Sequence, residues 1–372
     1  MPDTEAAVVR PGTGTFAWET LQVDEPRPDE LLVRIVGVGI CHTDLATRDE
    51  HLHTPMPAVL GHEGAGVVEA VGSAVTRAKP GDRVLLSFSS CGHCPACLHG
   101  HPAYCTTFIP RNFDGARPDG SMPFRDQRGE TVGGRFFGQS SFARRTLVDE
   151  RSTVPVETAD EDELALLAPV GCGIQTGAGA VLNELRPGTG ESVAVFGAGA
   201  VGLSAVMAAA LTPAAKIIAI DIVPSRLELA LELGATHTMN GNQEDTPQRL
   251  REITGGRGVD RALESSGVPA LLRQAIDSLA LGHGTVAVAG APPVGTDGTF
   301  DVNFLLNGRT IRGVTEGDSD LTTFIPALVD LYRSGRLPFD RMARLYEPSR
   351  INEAAADAAG GQVLKPVLRF TD

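Results

Sequence analysis

Four cysteines lie close together in the first half of the sequence, at Cys91, Cys94, Cys97 and Cys105, in a C-x2-C-x2-C-x7-C pattern. Four thiolates brought together by tight turns match the closed tetrahedral shell of a structural zinc ion. An iron–sulfur cluster is the chemical alternative, since thiolates also hold such clusters. Reduced cysteines without a metal are the third alternative, and four thiols at this spacing make it the weakest. The pattern therefore predicts a structural zinc site.

A second set of metal-binding residue types is scattered along the chain. Cys41 and Cys172 are the two remaining cysteines, and His62 lies between them in the sequence. Two thiolates and one imidazole form a catalytic zinc site that leaves one position open for water or substrate. We expect Glu63 to approach the same metal from behind. Asp44 either orients the His62 ring as a hydrogen-bond acceptor or is an exposed surface residue, and the sequence favours neither.

A run of glycines after a predicted strand indicates a nucleotide-binding turn. Gly197, Gly199 and Gly202 form a G-x-G-x-x-G pattern that opens an apolar helix. Such a turn brings bare backbone and a helix N-terminus to the pyrophosphate of a dinucleotide. Asp221 ends the next predicted strand, where a carboxylate binds ribose hydroxyls and repels a 2′-phosphate, which favours NAD over NADP. Arg226 either flanks the adenosine ribose or is a solvated helix residue.

Two kinds of secondary-structure pattern must position these residues. The first 170 or so residues contain short β segments broken by turn signals, which predicts a β-rich, barrel-like domain. These segments include Leu31–Val36, Gly66–Val71 and Arg83–Leu86. From Pro187 onward, apolar strand patterns mostly alternate with helical ones, and six such strands fit a doubly wound parallel sheet. The six are Ser192–Phe196, Lys216–Ile220, Thr236–Met239, Val259–Glu264, Thr285–Ala289 and Thr310–Val314.

The C-terminal part of the sequence changes pattern again. An amphipathic stretch at Thr323–Ser334 is followed by a short apolar run at Val363–Phe370. We expect the apolar run to return as a strand to the first domain. A length of 372 residues also favours two domains over one.

Charge and termini narrow the class of protein. The formal net charge of −14 disfavours partners such as nucleic acid or anionic membrane surfaces. The stretch Val193–Leu211 is uncharged over 19 residues, but its glycines predict a strand that turns into a helix rather than a membrane span. The N-terminus lacks the pattern of an export signal, so we expect a cytoplasmic location. In that reducing compartment, metal ligation is favoured over three disulfides for the six cysteines.

In combination, these motifs resemble the zinc-containing medium-chain dehydrogenase/reductase family over nearly the whole chain. The resemblance implies an α/β protein with a GroES-like, β-rich catalytic domain and a Rossmann NAD-binding domain with a six-stranded parallel sheet. The catalytic domain is expected at residues 1–173, completed by 317–372, and the Rossmann domain at 174–316. Family members form dimers and tetramers, so a homodimer or homotetramer is expected.

The resemblance also implies roles for individual residues. Cys41, His62 and Cys172 correspond to the catalytic zinc ligands, so that each chain would hold two zinc ions. Thr43 corresponds to the hydroxyl that receives the proton of the alcohol. The residues expected at the cofactor are His42 and Lys365 near the pyrophosphate, and Thr176 and Val201 against the nicotinamide. Many family members also have a histidine five residues after the first zinc cysteine, whereas this chain has Ala46.

Among subfamilies, segments 39–49, 57–69, 91–97 and 307–314 are most similar to aryl-alcohol dehydrogenases. That similarity implies reversible oxidation of primary aromatic or allylic alcohols, terpene alcohols included, to aldehydes with NAD. A thiol-dependent formaldehyde dehydrogenase and a general aliphatic alcohol dehydrogenase are the alternatives within the family. The nucleotide-binding pattern disfavours a zinc-ribbon interaction module. The presence of Cys41 and Cys172 disfavours a zinc-free reductase of similar fold. Some of four phenylalanines, Phe88, Phe113, Phe136 and Phe137, are expected to line an apolar alcohol pocket, and simple packing in the hydrophobic core is the alternative for each of them.

Overall fold

The computed structural model of the protein describes residues 2–371, which form two compact units. Among these residues, unit 1 comprises 2–172, 320–329 and 340–371, and unit 2 comprises 173–319 and 330–339. Unit 1 therefore takes chain from both ends of the sequence, whereas unit 2 is formed mainly by one continuous stretch.

The N-terminal part of unit 1 is built from short, mostly antiparallel strands. They are β1 (Asp3–Val9), β2 (Ala17–Val23), β3 (Glu30–Gly39), β4 (Ala58–Val59), β5 (Glu63–Val71), β6 (Arg83–Leu86), β7 (Phe124–Arg125), β8 (Thr131–Val132), β9 (Arg145–Asp149) and β10 (Thr153–Pro155). One sheet has the order β4-β1-β2-β7-β8. The long strand β3 is buried along most of its length and pairs with both β5 and β9 in a second sheet. This arrangement is the predicted β-rich domain.

Short helices connect these strands. The α-helices are α1 (His42–Arg48), α2 (Pro95–Leu98), α3 (Phe108–Phe113) and α4 (Glu161–Leu167), and single 3-10 turns cover Pro102–Tyr104, Phe136–Gly138, Glu150–Ser152 and Ala168–Gly171. The N-terminus of α4 is capped by Asp160, whose side chain accepts a hydrogen bond from the Glu163 amide, and three acidic residues fill the first helical turn. Both features stabilise a helix N-terminus, because they offset its free N–H groups and positive dipole end.

Unit 2 contains a six-stranded parallel sheet in the order β13-β12-β11-β14-β15-β16. Its strands are β11 (Ser192–Phe196), β12 (Lys216–Asp221), β13 (His237–Asn240), β14 (Arg261–Glu264), β15 (Thr285–Val288) and β16 (Thr310–Gly313). Its helices are α5 (Gly173–Gly179), α6 (Ala200–Ala210), α7 (Pro224–Glu232), α8 (Thr246–Ile253), α9 (Pro269–Asp277) and α10 (Val302–Leu306), with a π-helical turn at Ala180–Leu185 and a 3-10 turn at Glu316–Asp318. The order is that of a doubly wound dinucleotide-binding sheet. The predicted six-stranded sheet is confirmed.

Alternate residues of the parallel strands form one side of the core of unit 2. Phe196 of β11, Ile218 and Ile220 of β12 and Val286 of β15 are buried together with Leu250 of α8 and with residues of α9. Side chains alternate between the two faces of a strand, so these apolar residues point to the same helical layer.

The remaining chain supplies two strands and two helices. They are α11 (Leu321–Arg333), β17 (Ala343–Tyr346), α12 (Ile351–Ala359) and β18 (Lys365–Arg369), with 3-10 turns at Phe339–Met342 and Pro348–Arg350. Strand β18 pairs with β3 antiparallel and with β17 parallel, which gives the second sheet the order β10-β6-β5-β3-β18-β17. The predicted C-terminal strand therefore joins the sheet of unit 1.

The stretch Val193–Leu211 forms a strand, a turn and the helix α6, as predicted. Within residues 2–371, no single helix is both long and apolar enough to cross a membrane. Two consecutive helical segments, Glu161–Gly171 and Gly173–Leu185, are together long and apolar enough to do so on length and composition alone, although the chain bends between them.

Candidate active site

Four side chains that the sequence nominated as metal ligands meet in unit 1. The Sγ atoms of Cys41 and Cys172, a ring nitrogen of His62 and a carboxylate oxygen of Glu63 lie within 4.8 Å of one another. His62 is fully buried, and its Nε2 atom has no hydrogen-bond partner among the described residues. A buried polar atom without a partner is costly, and two thiols with one imidazole are a donor set that suits zinc. The residues present therefore fit a zinc ion.

Three segments of chain deliver these ligands. Cys41 lies between β3 and α1, His62 and Glu63 lie at the start of β5, and Cys172 follows the 3-10 turn Ala168–Gly171. The last residues of β3 pair with the first residues of β5, so that both segments end at the same point of the sheet. The pairing of β3 and β5 therefore brings together ligands that are distant in sequence.

Asp44 holds two of these ligands in place. Its Oδ1 lies 2.8 Å from Nδ1 of His62, and its Oδ2 accepts a hydrogen bond of 2.9 Å from the amide of Cys41. Oδ1 also accepts from the amide of Gly61 at 3.1 Å, and the side chain is fully buried. A carboxylate on Nδ1 leaves Nε2 as the metal-binding nitrogen. The alternative of an exposed surface aspartate is wrong.

Neighbouring charges shift the pKa values of the ligands in opposite directions. A hydrogen bond with Cys172, together with the charge of Lys365, outweighs burial and holds the pKa of the Cys41 thiol well below its ordinary value. Burial alone would lower the pKa of His62, but the Asp44 carboxylate outweighs it and raises that pKa well above 6.5. A metal binds the thiolate and the neutral imidazole, so metal binding here releases protons and strengthens as the pH rises.

Glu63 is paired with a buried lysine. The Nζ atom of Lys365 lies 2.8 and 3.0 Å from the two carboxylate oxygens of Glu63, and 3.4 Å from the carbonyl oxygen of Ile40. Burial raises the pKa of Glu63. Burial alone would lower the pKa of Lys365, but the charge of the Glu63 carboxylate outweighs it and raises that pKa. The sequence placed Lys365 near the cofactor pyrophosphate, which stays a prediction. In this structure its ammonium neutralises the carboxylate behind the thiols.

Thr43 and His42 lie in the first turn of α1. The Oγ1 atom of Thr43 is 3.9 Å from Sγ of Cys41, so a hydroxyl lies beside the ligand set. His42 is exposed and Ala46 is half-buried. The role of Thr43 as the acceptor of the alcohol proton stays a prediction.

The four-cysteine cluster forms a second compact set in unit 1. The ligand atoms of Cys91, Cys94, Cys97 and Cys105 lie within 4.8 Å of one another. The amide of Cys94 donates to Sγ of Cys91 at 3.3 Å, and the amide of Cys91 donates to Sγ of Cys105 at 3.2 Å. Backbone N–H groups, that of Cys97 first, lower the pKa of Cys94 to about 5. Four sulfur atoms surrounded by backbone donors fit a closed zinc shell.

The glycine-rich turn in unit 2 has the backbone that its sequence requires. Gly197 adopts φ +96°, where a side chain would be strained, and a Cβ on Gly202 would lie 1.8 Å from the carbonyl oxygen of Gly197. Asp221, at the end of β12, accepts hydrogen bonds from the amides of Ala198, Ile222 and Val223. Only glycine allows this close packing of strand and helix. The turn and the carboxylate are thus held together.

Four further residues predicted at the cofactor lie in unit 2. Arg226 approaches Asp221 at 3.8 Å, and its Nε atom is buried without a hydrogen-bond partner in the described chain. Gly199 precedes α6 as its N-cap residue. Thr176 of α5 and Val201 of α6 lie in helices that pack closely, since a Cβ on Gly177 would be 2.0 Å from the carbonyl oxygen of Val201. Thr176, Gly199 and Val201 therefore lie on or next to the packed helices α5 and α6, and Arg226 lies beside the end of β12.

Comparisons with known proteins agree with this geometry. Residues 27–158 match the alcohol dehydrogenase GroES-like domain, and residues 200–330 match the zinc-binding dehydrogenase family. The chain is 45% identical, over 370 residues, to a geraniol dehydrogenase of Castellaniella defragrans, with 98% of this chain and 97% of the relative covered. The chain belongs to the zinc-containing medium-chain alcohol dehydrogenase family. It is a zinc-dependent oxidoreductase with a GroES-like domain and a Rossmann-like sheet, as predicted.

Two solved structures are similar to this alcohol dehydrogenase over the full length of both chains. One is an alcohol dehydrogenase zinc-binding domain protein from Burkholderia ambifaria, with 54% identity and a TM-score of 0.96. The other is the benzyl alcohol dehydrogenase from Acinetobacter calcoaceticus, with 46% identity and a TM-score of 0.95.

The dehydrogenase also has a supporting residue that the sequence did not reveal. Gln139 is fully buried, its Nε2 donates to the carbonyl oxygens of His62 and Ser87, and its Oε1 accepts from the amide of Gly64 at 3.0 Å. It therefore fixes the backbone on both sides of Glu63 at the start of β5. A glutamine that is 77 positions away from its partner carries no local sequence signal for this role.

Aromatic rings of the dehydrogenase surround the His62 imidazole. Phe137 stacks on it with a centroid distance of 4.5 Å and an interplanar angle of 28°, and Phe136 meets it edge-on at 5.5 Å. Phe113 packs on both phenylalanines, at 5.1 and 5.9 Å. Phe88 is buried and packs against Phe108 instead. The sequence predicted that some of these phenylalanines line a pocket, but it did not predict the contact of Phe136 and Phe137 with His62.

Proposed function

We propose that this dehydrogenase oxidises primary aromatic or allylic alcohols, terpene alcohols included, to aldehydes with NAD, and catalyses the reverse reduction. The observation that carries the proposal is the set of two thiols and one imidazole beside the Thr43 hydroxyl. The names of two relatives, geraniol dehydrogenase and benzyl alcohol dehydrogenase, support the substrate class. Both names refer to primary alcohols whose hydroxyl-bearing carbon is next to an unsaturated carbon.

Two zinc ions per chain form part of the proposal. Cys41, His62 and Cys172, with Glu63 behind them, would hold the catalytic ion, and the four-cysteine cluster would hold the structural one. When bound in the first set, zinc supplies Lewis acidity that lowers the pKa of an alcohol hydroxyl.

The surrounding residues of the chain orient groups and move the proton. Asp44 keeps Nε2 of His62 directed toward the ligand set, through its contact of 2.8 Å with Nδ1. The Thr43 hydroxyl accepts the alcohol proton and passes it outward. The chain has Ala46 where many relatives have a histidine, so delivery to solvent is proposed, with His51 or His53 as the alternative acceptors. Hydride transfer is the chemistry of the nicotinamide.

The cofactor is proposed to be NAD. The Asp221 carboxylate would bind the ribose hydroxyls and repel a 2′-phosphate. The glycine turn at Gly197, Gly199 and Gly202 would admit the pyrophosphate to the N-terminus of α6. His42 and Lys365 would lie near the cofactor pyrophosphate, Arg226 would flank the adenosine ribose, and Thr176 and Val201 would contact the nicotinamide.

An apolar pocket for flat substrates is supported by the aromatic rings beside His62. Phe113 is the half-buried member of this group, whereas Phe136 and Phe137 are buried. Each additional methylene-sized group that a substrate buries contributes about 0.8 kcal/mol. Benzylic and allylic alcohols should therefore be used with higher kcat/KM than ethanol.

A spectrophotometric screen of NAD reduction tests the proposal. Benzyl alcohol, cinnamyl alcohol, geraniol and ethanol are compared, with and without glutathione plus formaldehyde. Benzylic and allylic alcohols are expected to exceed ethanol in kcat/KM. Equal efficiency with ethanol would instead indicate a general aliphatic enzyme, and activity restricted to the thiol adduct would indicate a formaldehyde dehydrogenase.

A cytoplasmic homodimer or homotetramer remains the expected assembly. Size-exclusion chromatography with light scattering measures the mass of the particle, which is compared with the 39.0 kDa of one chain. A monomeric mass at micromolar concentration would contradict this expectation.

A further inference from the structure

The imidazole of His62 is confined on three sides. Asp44 binds its Nδ1 at 2.8 Å, the ring of Phe137 covers one face at 4.5 Å, and Phe136 meets it edge-on at an interplanar angle of 82°. The remaining nitrogen, Nε2, is buried and has no hydrogen-bond partner among the described residues, so it is the ring atom left for the ligand set. A hydrogen bond at Nδ1 fixes one atom of the ring, but a ring stacked on its face also resists tilting of the imidazole plane.

Phe137 covers that face from a strained backbone. It adopts φ +52° and ψ +34°, in the left-handed region that a residue with a Cβ enters at a cost in free energy. Gly138, the next residue, and Ser140, in the same turn, also have positive φ, at +69° and +54°. Such conformations persist only where the surroundings enforce them, and they concentrate at functional sites. Glycine would fit position 137 without strain, so the phenylalanine side chain needs a reason of its own.

The turn that carries Phe137 is anchored firmly. Ser140 Oγ donates to the carbonyl oxygen of Val59 at 2.7 Å and accepts from the amide of Phe136 at 2.9 Å. Gln139, in the same turn, binds the carbonyl oxygen of His62. The turn therefore holds the backbone of the ligand through Gln139 and its ring through Phe137.

We propose that Phe137 is a positioning residue for the metal, which acts by holding the plane of the His62 imidazole. The inference rests on the proposed function, because it takes His62 to be a zinc ligand. It adds a role for Phe137 that does not depend on which alcohol is oxidised. Residues that support a metal ligand commonly change metal affinity by about 10–100-fold when they are removed.

Two substitutions at position 137 separate the ring from the backbone. Phe137→Ala removes the ring and keeps a Cβ in the left-handed conformation, whereas Phe137→Gly removes the ring and relieves the strain. Phe113→Ala is the matched control, since this ring packs on Phe136 and Phe137 at 5.9 and 5.1 Å. The glycine variant keeps the test valid if the alanine variant folds poorly.

The first measurement is the rate of zinc release from the intact protein to a chromogenic chelator. Both variants at position 137 should release one zinc per chain about 10-fold faster than the wild type, and Phe113→Ala should release it at the wild-type rate. The second measurement is the absorption spectrum after exchange of that zinc for cobalt. The d–d bands should change in both variants at position 137 and stay unchanged in Phe113→Ala.

Two results would overturn the inference. Wild-type release rates and cobalt spectra in both variants at position 137 would show that the ring is not needed, while the zinc site itself stands. Equal acceleration by Phe113→Ala would show a general loosening of the aromatic packing. Retention of the releasable zinc in His62→Ala would instead overturn the proposed ligand set, which distinguishes failure of the proposed function from failure of this inference.

Discussion

Unit 1 contains two sulfur-rich clusters that are built in opposite ways. The four cysteines at 91, 94, 97 and 105 come from one short stretch, and backbone N–H groups surround their sulfur atoms. Cys41, His62 and Cys172 come from three distant segments, and buried ionisable side chains surround them. A cluster that only has to close a loop can be assembled by local turns. A cluster that has to activate a substrate needs an open position and tuned charges, so it draws residues from across the fold.

The strongest test of this contrast removes one sulfur ligand from the open set. Cys172→Ser should abolish turnover while the fold and one zinc per chain are retained. A Lewis acid supplies several kcal/mol to the transition state, so we expect kcat/KM to fall by about 10³-fold or more. Alcohol oxidation, zinc content and circular dichroism are measured together. A Cys172→Ser variant that keeps two zinc ions per chain and full activity would contradict the assignment of Cys172 as a zinc ligand.

The reciprocal substitution affects the closed set. Cys94→Ser should lower stability more than chemistry, because a structural metal contributes its binding free energy to folding. We expect the free energy of unfolding to fall by about 4 kcal/mol, while the protein that remains folded keeps its kcat. Thermal unfolding and activity per folded molecule are the readouts. A variant as stable as the wild type would show that the four cysteines hold no structural metal.

A third substitution tests the charges around the open set. Asp44→Ala should weaken the zinc site by about 10–100-fold, since Nδ1 of His62 loses its partner. Asp44→Asn serves as the matched control, because the amide keeps an acceptor and should retain more metal. Competition with a chelator measures both. Identical zinc affinity in all three proteins would mean that the carboxylate does not orient the ligand.

A substitution in unit 2 tests how a single charge, rather than a metal, selects between two cofactors, and its expected effect is smaller. Asp221→Asn removes the charge at the end of β12 and leaves one oxygen to accept from neighbouring amides. Hydrogen bonds to charged groups contribute about 1.5–3 kcal/mol, so kcat/KM with NAD should fall by about tenfold and the discrimination against NADP should narrow. Steady-state kinetics with both cofactors measure the ratio. Equal use of NADP by the wild type would defeat the argument.

The last substitution separates the pH dependence of the stability of the fold from that of the metal sites. Glu30 is buried, and although burial raises its pKa, the hydrogen bond from Arg117 and the charge of Arg135 lower it below 4.5 overall. A lowered pKa in the folded state means that the stabilisation is present above pH 4.5 and is lost as the pH falls through the lowered value. Glu30→Gln should therefore be less stable by about 2 kcal/mol at pH 7, with a shallower loss in acid.

Urea unfolding of wild type and Glu30→Gln at pH 7 and pH 3.5 measures this difference. Because both proteins carry the same metal ligands, any loss of metal in acid cancels in the comparison. A difference that stays constant between the two pH values would show that the Glu30 carboxylate does not titrate in this range.

Much of the architecture could be predicted because its signals are local. The bounds of β6 and β11 match the predicted strands residue for residue, since turn residues flank each apolar run. The predicted strand at Val259–Glu264 begins instead at Arg261, because Val259 forms an isolated bridge with Leu279 outside the sheet. Strand ends depend on such tertiary contacts, which the sequence pattern does not contain.

The site shows the same division between local and distant signals. The residue types at Cys41, His62 and Cys172 suggested a metal set, and the structure brings them within 4.8 Å. The choice between two roles for Asp44 required the fold, because only the pairing of β3 with β5 buries that side chain beside the imidazole. The left-handed turn at Phe137 had no sequence signal, since its glutamine and serine anchors bind residues far along the chain.

The position of β18 makes the order of synthesis matter for this enzyme. The strand lies beside β3 inside the sheet of unit 1, and its first residue, Lys365, neutralises Glu63. On the ribosome, β3 and β5 emerge hundreds of residues before β18, so over that interval the nascent chain lacks both the Lys365 partner of Glu63 and the β18 neighbour of β3. The final charge environment of the thiols therefore depends on a segment that is made much later than the thiols of Cys41 and Cys172, and a chain truncated before Lys365 lacks it altogether.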